Sequence, residues 1–214
     1  MITPGRRGLG FGVGTEPLPA VFAKLGVQVM ATDAPSEIAH AAGWQKTEEF
    51  AASLNDLYKP EIIGRERFDA QVAFRTCDMT AIAPEFSGYD FCWSSCCLEH
   101  LGSLRAGLDF IRDSVEKVLR VGGVACHTTE FNLSSDERTV EDGGCVLYRR
   151  RDIEAFIVEM RERGHHVADL RIAPDTHAAD WYVDVPPYRQ DPHLKLELLG
   201  YTTTSAGLVI TRGR

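Results

Sequence analysis

The sequence predicts an α/β fold, with a doubly wound, mostly parallel seven-stranded sheet and helices on both faces. Short apolar runs of strand length alternate with segments of helical periodicity along all 214 residues. Such alternation is typical of parallel strands joined by right-handed crossover helices. In addition, a glycine-rich stretch over residues 8–16 overlaps the first predicted strand and leads into the first helix. There it forms a turn whose backbone can approach a ligand closely.

The first half of the chain alternates strand, turn, helix and strand. Leu18, Phe22 and Leu25 recur at helical spacing, and Gly26 ends that helix. The next apolar run is a predicted buried strand that ends in the acidic Asp33. The other predicted helices here are residues 35–43 and 47–57, with a short turn of helix in 61–68, and the predicted strands are residues 7–13, 27–33, 70–77 and 89–95.

The second half continues the same alternation. Apolar residues from Leu104 to Val118 keep a 3.6-residue period and predict a long helix, which Gly122 and Gly123 end. A further helix begins at Asp152, a capping residue, and ends at Gly164. The remaining predicted strands are residues 124–128, 166–172 and 202–211.

Composition argues against several classes of partner. The net charge of −8 and pI of about 5.4 argue against a nucleic-acid surface, which usually shows a clustered basic face. We expect no membrane partner, because no apolar run approaches the ~20 residues of a membrane span. None of the six cysteines has the spacing of a zinc site. We therefore expect reduced thiols in a cytoplasmic protein.

Ligands of doubly wound sheets bind at the carboxyl ends of the strands. This rule selects the residues that follow the predicted strands: Gly12 to Glu16, Asp33, Asp78-Met79, Trp93 to Ser95, and His127 to Glu130. Asp33 also lies 21 residues beyond Gly12, close to the ~20-residue spacing of a ribose-binding acid. The sequence therefore predicts a nucleotide-type ligand at this edge.

With these positions assembled, residues 7–212 resemble the Rossmann-like class I S-adenosylmethionine-dependent methyltransferases. The resemblance implies S-adenosyl-L-methionine as the cofactor and a final antiparallel strand in the sheet. The motifs that carry it are the glycine turn, Thr32-Asp33, Cys77-Asp78-Met79, Tyr89-Asp90-Phe91 leading into Glu99-His100, and residues 119–124, which match the family's usual Leu-Lys-Pro-Gly-Gly turn.

The resemblance also implies roles for individual residues. Asp33 would accept hydrogen bonds from both ribose hydroxyls, and Asp78 would accept one from the adenine amino group while Met79 packs on the ring. The residues expected to lie near the amino-acid and methyl-donor part of the cofactor are Gly10, Gly12, Gly14, Trp93, Ser94 and Ser95.

One departure from the family pattern concerns the cofactor's ammonium group. The family usually carries an acid two residues before the first glycine of the turn, and here that residue is Gly10. Glu16 is the acid that we expect to substitute for it.

Methyl transfer to a hydroxyl benefits from a general base, and histidine is the usual choice. His100, His127 and Glu130 are the candidates, and each also has a purely structural interpretation: His100 as a helix-start residue, His127 as a strand residue, Glu130 as a backbone partner. A metal that orients a diol is a further hypothesis. Its possible ligands are Glu99, His100, His127, Glu130 and His193, but they form no compact ligand motif, so we expect no metal.

We therefore expect one domain over residues 1–214 that methylates a small molecule such as a sugar or natural-product intermediate, with O- favoured over N-methylation. Residues 173–200 are long for a connection and predict an insertion or lid on the acceptor side. Two alternatives stay open. The first alternative is a non-catalytic cofactor-binding or regulatory subunit. The second is an enzyme that catalyses another reaction of the same cofactor, such as a cyclisation. The sequence does not indicate an oligomeric state.

Overall fold

The computed structural model describes residues 2–44, 49–189 and 191–214. These residues form one mixed sheet in the order β3-β2-β1-β4-β5-β8-β6, with β7 paired to the edge of β8. The strands are β1 (Arg7–Phe11), β2 (Gln28–Asp33), β3 (Val72–Thr76), β4 (Tyr89–Ser95), β5 (Leu119–Asn132), β6 (His166–Val167), β7 (Leu196–Leu198) and β8 (Tyr201–Thr211).

The strand directions confirm the predicted fold class. The strands β1 to β5 run parallel, while β8 is antiparallel to both β5 and β6. The described residues form eight strands rather than seven, because the short β7 pairs with β8 within the segment predicted to be irregular. The predicted strand over residues 166–172 is shorter than expected, since only His166 and Val167 pair with β8.

Within the described part of the chain, five α-helices flank the sheet. They are α1 (Leu18–Lys24), α2 (Ser36–Ala42), α3 (Arg65–Gln71), α4 (Leu104–Asp113), which continues as a π-helical turn over Ser114–Val118, and α5 (Arg150–Glu162). The predicted helix over residues 47–57 begins outside the described residues, and its end, Leu54–Leu57, is a 3-10 turn closed by the Ser53 capping box. None of the described helices is long and apolar enough to cross a membrane.

Two hydrophobic clusters cover the two faces of the sheet. One face packs against α4 and α5 through Phe110, Ile111 and Phe156. The other packs against α1 and α3 through Ala20 and Phe68. The helices therefore lie on both faces, as predicted.

Successive side chains of the long central strand β5 point to these two faces in turn. Its residues Ala125, His127, Thr129 and Phe131 are buried, whereas the residues between them are less so. Pairing with β8 runs from the Val124–Thr211 pair to the Asn132–Thr203 pair, which extends β5 well beyond the predicted 124–128. This extension carries Glu130 past the end of β4 and to the cleft described below.

Candidate active site

A cleft of about 900 Å³ opens where β1, β2, β3 and β4 end. Residues that follow these strand ends line it, together with the end of β5 and part of the segment before β8. The site residues predicted from the sequence that line this cleft are Gly12, Gly14, Glu16, Asp33, Asp78, Met79, Ser95, His100 and Glu130.

The glycine turn has a backbone that L side chains rarely adopt. Gly12 and Gly14 have φ values of +54° and +49°, in the left-handed region that favours glycine. A Cβ at Gly14 would also lie 2.4 Å from the carbonyl oxygen of Glu49. The amide of Val13 donates to the Thr32 carbonyl at 3.1 Å, which fixes the turn to the end of β2. The alternating glycines are thus a requirement of this backbone.

Asp33 fixes the same turn from the other side. Its Oδ2 accepts the amides of Gly14 and Ala51, both at 3.0 Å, and its Oδ1 accepts the Ala34 amide at 2.7 Å. Burial raises the pKa of this carboxyl, and the amide hydrogen bonds oppose that rise. A carboxylate offers about four acceptor positions. The described amides use three of them, which leaves capacity for a ligand hydroxyl.

Glu16 is held in the cleft by two donors from β4. Its Oε1 accepts the indole N–H of Trp93 at 2.6 Å, and its Oε2 accepts the Ser95 hydroxyl at 2.9 Å. Burial raises the pKa of the Glu16 carboxyl, and the nearby charge of Asp33 adds to the rise. The cleft therefore contains an acid close to the glycine turn although position 10 lacks one.

Trp93 and Gly10, predicted to contact the cofactor, do not line the cleft. Trp93 is buried against Phe22 and Phe91 and does not line the cleft. Gly10 pairs with it across β1 and β4, and a Cβ at Gly10 would lie 2.5 Å from the indole ring. The glycine is needed to accommodate this ring, and the ring in turn positions Glu16.

His127, predicted as a general base, lies in the core and not at the cleft. Its ring is fully buried, between the hydroxyl of Ser94 at 2.7 Å from Nδ1 and that of Ser114 at 2.9 Å from Nε2. Phe110 packs edge-on against it. Burial lowers the pKa of His127 to about 3, so the ring is neutral at neutral pH. Ser94, predicted to contact the cofactor, is buried beside this ring and does not line the cleft.

His100 does line the cleft, and its tautomer is defined. Its Nδ1 lies 2.7 Å from the carbonyl oxygen of Gly144. A carbonyl oxygen can only accept, so Nδ1 carries the hydrogen and Nε2 is an acceptor in the neutral ring. The ring also contacts that of Trp44, with centroids 6.0 Å apart.

Two carboxylates meet at the same end of the cleft. Glu99 is almost fully buried, and its Oε2 accepts the Thr129 hydroxyl at 3.1 Å. Burial raises the pKa of Glu99 to about 7, and the charge of Glu130 contributes to this rise. The Oε2 atom of Glu130 is buried and has no hydrogen-bond partner among the described residues. This pair can therefore take up a hydrogen-bond donor from a ligand.

Among the described residues, two of the five potential metal ligands named from the sequence, Glu99 and Glu130, lie close together. Cys96 joins Glu99 and Glu130, with ligand atoms within 4.8 Å of one another. His127 cannot take part, because its ring lies in the core.

Asp78 and Met79 line the cleft beyond the end of β3. The Oδ1 of Asp78 accepts both the amide and the hydroxyl of Thr80, at 2.8 and 2.7 Å. The sulfur of Met79 lies 3.8 Å from that of Cys97, a cleft residue that the sequence analysis did not select. The two sulfurs form an apolar patch beside the glycine turn.

The segment before β8 contributes His193, Leu196 and Leu198 to the cleft. From the sequence, His193 is expected either as a metal ligand or, with Trp181, Tyr182 and Tyr188, in the lining of an acceptor pocket, and no partner for it is predicted. In the structure its partner is Asp184, whose Oδ2 lies 2.8 Å from Nδ1 of His193. No sequence motif signals this pair, because its residues lie nine positions apart in an irregular segment.

No protein-family model matches the sequence, and no curated protein matches it. Solved structures do resemble it. A proposed S-adenosylmethionine-dependent methyltransferase from Listeria monocytogenes is 14% identical with a TM-score of 0.59, over 100% of this chain and 93% of that chain. Haemonchus contortus phosphoethanolamine N-methyltransferase 2, in complex with S-adenosyl-L-methionine, is 12% identical with a TM-score of 0.58, over 100% of this chain and 50% of that chain. The cyclase SpnF is 17% identical with a TM-score of 0.53, over 79% of this chain and 54% of that chain.

Several of the similar structures are described as methyltransferases, and two of these as S-adenosylmethionine-dependent. The chain spans about half the length of the cyclase and of the N-methyltransferase. At these identities the likeness shows the fold. Strand order, the antiparallel β8 and the structural neighbours agree, and the chain has the Rossmann-like fold of the class I S-adenosylmethionine-dependent methyltransferases.

Proposed function

We propose that this chain is an S-adenosylmethionine-dependent methyltransferase that acts on the hydroxyl of a small molecule. The observation that carries the proposal is the cleft in which the left-handed Gly12 and Gly14, Asp33 and Asp78 come together from the ends of three different strands. S-adenosyl-L-methionine supplies an electrophilic methyl group when it is bound.

The residues of the cleft fit this cofactor. A Cβ at Gly12 would lie 2.9 Å from the sulfur of Cys97, so that a side chain there would narrow the cleft beside the turn. Asp33 retains acceptor capacity for a ribose hydroxyl. Asp78 and Met79 supply the acceptor and the apolar surface that an adenine requires. Glu16 supplies the negative charge for the ammonium group, and Trp93 and Ser95 orient it.

The acceptor end of the cleft favours a molecule rich in hydroxyl groups. The buried Oε2 of Glu130 has no described partner, and a buried acceptor of this kind is stabilised by a donor. Glu99 lies beside it, and both line the cleft. A sugar or a hydroxylated natural-product intermediate offers a donor to the Oε2 atom of Glu130, and a hydroxyl oxygen is then the atom methylated.

His100 and Glu130 remain candidates for contact with the acceptor. Both line the cleft, and the Nε2 of His100 is an acceptor in the neutral ring. Methyl transfer is an in-line displacement, so that holding the acceptor on the axis of the methyl group contributes much of the rate. These side chains supply such orientation from one wall of the cleft.

Cyclisation is the second candidate function, because one structure of similar fold is the cyclase SpnF. A non-catalytic cofactor-binding subunit is the third, and the absence of an acid at Gly10 favours it. Transfer of a methyl group to an added acceptor separates the first function from both alternatives. We further propose a cytoplasmic location, since all six cysteines are free thiols.

The experiment is the transfer of a labelled methyl group from S-adenosyl-L-methionine to a panel of sugars, hydroxylated polyketides and phenols. We expect a labelled methyl ether with at least one hydroxylated acceptor, and loss of this product in Asp33→Asn. Asp69→Asn, at an exposed position in α3, is the matched control and should retain full activity. Binding of the cofactor without transfer to any acceptor would contradict the methyltransferase assignment and favour the alternatives.

A further inference from the structure

An aspartate–histidine pair lies in the wall of the cleft, within the segment that precedes β8. The Nδ1 of His193 lies 2.8 Å from Oδ2 of Asp184, and His193 is a lining residue of the same cleft as Asp33 and Glu99. The His193 side chain is 41% exposed, whereas that of Asp184 is 1% exposed. A partly accessible imidazole is thus attached to a buried carboxylate.

Asp184 is fixed in place by its backbone as well as by its side chain. Its amide donates to the Lys195 carbonyl and its carbonyl accepts the Glu197 amide, both at 2.8 Å. Its Oδ2 also accepts the amide of Arg189 at 2.8 Å. These bonds tie both ends of the loop around His193 to a single residue. The carboxylate is therefore a fixed reference for the orientation of the ring.

The pair also defines the tautomer of the ring. Burial raises the pKa of the Asp184 carboxyl, but hydrogen bonds from His193 and the Arg189 amide outweigh it, and the pKa lies below its usual range. An ionised carboxylate can only accept, so Nδ1 of His193 carries the hydrogen and Nε2 of the neutral ring has a free lone pair.

His100 differs from His193 in its partner. The Nδ1 of His100 donates to the neutral carbonyl of Gly144, whereas that of His193 donates to a carboxylate. A negative charge stabilises the imidazolium that forms when a histidine takes up a proton, and it does so more strongly than a neutral dipole does. Of the described histidines that line the cleft, His193 is the one whose ring is hydrogen-bonded to a carboxylate.

We propose that His193 is the general base that deprotonates the acceptor hydroxyl and that Asp184 is its positioning residue. This inference rests on the proposed methyltransferase function. As the acceptor oxygen forms its bond to the methyl carbon, the bond from that carbon to the sulfonium sulfur breaks, and its electron pair stays on the sulfur. The hydroxyl proton passes to Nε2 of His193, and the imidazolium later releases it to water. The substrate class is an alcohol, whose hydroxyl keeps its proton at neutral pH.

The first experiment reads the tautomer directly. Nitrogen-15 spectra of histidine-labelled protein in complex with S-adenosylhomocysteine should show His193 as the Nδ1-protonated form, assigned by its loss in His193→Gln. In Asp184→Ala this preference should disappear. His193 with its hydrogen on Nε2, or a spectrum that Asp184→Ala leaves unchanged, would overturn the proposal whatever the acceptor is.

The second experiment measures methyl transfer to an alcohol acceptor from the panel above. His193→Gln should lower kcat by about 10²- to 10⁴-fold, and Asp184→Asn by at least about tenfold, with the affinity for S-adenosylhomocysteine within about twofold of that of the native protein in both. Added imidazole should partly restore the activity of His193→Gly. The control is His177→Gln, in the same segment but outside the cleft, and it should retain full activity.

The outcomes separate the two levels of the proposal. Unchanged methyl transfer in His193→Gln would remove the base role and leave the methyltransferase function intact. Failure of the native protein to methylate any acceptor would remove the proposed function and the base role together.

Discussion

The indole nitrogen of Trp93 donates a hydrogen bond to the carboxylate of Glu16 at 2.6 Å. This bond explains why position 10 is a glycine, whereas the family that the chain resembles usually has an acid there. The glycine at position 10 leaves space for the indole, and the indole holds Glu16 at the cleft. The acid of this site is thus supplied from beyond the turn.

Replacement of Glu16 by glutamine should weaken binding of S-adenosylhomocysteine by about 10- to 150-fold, which corresponds to one hydrogen bond to a charged group, about 1.5 to 3 kcal/mol. The reason is the loss of the negative charge that we propose faces the ammonium group. Calorimetric titration measures this change. The control is Glu85→Gln, which removes an exposed carboxylate outside the cleft.

The same residue predicts how binding depends on pH. Because burial raises the pKa of Glu16, its charge is lost at a higher pH than that of an ordinary glutamate. Affinity for S-adenosylhomocysteine should therefore fall as the pH falls through this raised pKa, and Glu16→Gln should remove that part of the dependence. Equal affinities of the native protein and Glu16→Gln at every pH would contradict the assigned role.

Gly14→Ala should disrupt the turn. An L residue in the left-handed region costs about 1 to 2 kcal/mol, and the new Cβ would lie 2.4 Å from the Glu49 carbonyl oxygen. We expect a lower urea midpoint and loss of measurable cofactor binding. Gly64→Ala is the control, since its φ is −67° and a Cβ there would meet nothing within 4 Å. Native affinity in Gly14→Ala would show that the turn does not require glycine here.

His127→Ala should destabilise the protein by about 2 to 4 kcal/mol, because it leaves a cavity and removes the partner of Ser94 and Ser114. Cofactor affinity of the folded variant should be unchanged. Urea unfolding at pH 7 measures the stability, with His166→Ala at an exposed strand position as the control. Native stability combined with lost methyl transfer would restore His127 as a catalytic candidate.

Glu99 predicts a pH dependence of stability. Its pKa is about 7 in the folded protein against an ordinary 4.5, so the folded state binds more protons than the unfolded state between these values. The contribution of Glu99 to the free energy of unfolding should fall as the pH rises through this window, by at most about 3 kcal/mol. Glu99→Gln should remove this slope in urea unfolding from pH 4.5 to 8, whereas Glu61→Gln, at an exposed position, should retain it. An identical slope in Glu99→Gln would contradict the prediction.

The features that depend on local residue patterns could be predicted from the sequence. The glycine turn, the strand that ends at Asp33 and the order of strands and helices follow from residue spacing, and the structure places Gly12, Gly14 and Asp33 together as expected. The strand β7 was not predicted, because its three residues are too few to show a period and pair with β8 and with Asp184 in an irregular segment.

Two of the predicted site residues, His127 and Ser94, lie away from the cleft because side chains alternate along a strand. His127 and Glu130 are three positions apart in β5, so they face opposite sides of the sheet and cannot serve one site. In the same way Ser95 lines the cleft whereas the adjacent Ser94 lies in the core. The pairing of Asp184 with His193 depends on an irregular loop, which no periodicity reveals.

Calorimetric titration with S-adenosylhomocysteine tests the central claim most directly. We expect one binding site per chain with saturable heat at micromolar to submillimolar ligand, and loss of that heat in Asp33→Asn, whose native carboxylate binds the amide of Gly14 at the turn. The absence of heat from the native, folded protein at millimolar ligand would contradict the claim that this cleft binds the cofactor.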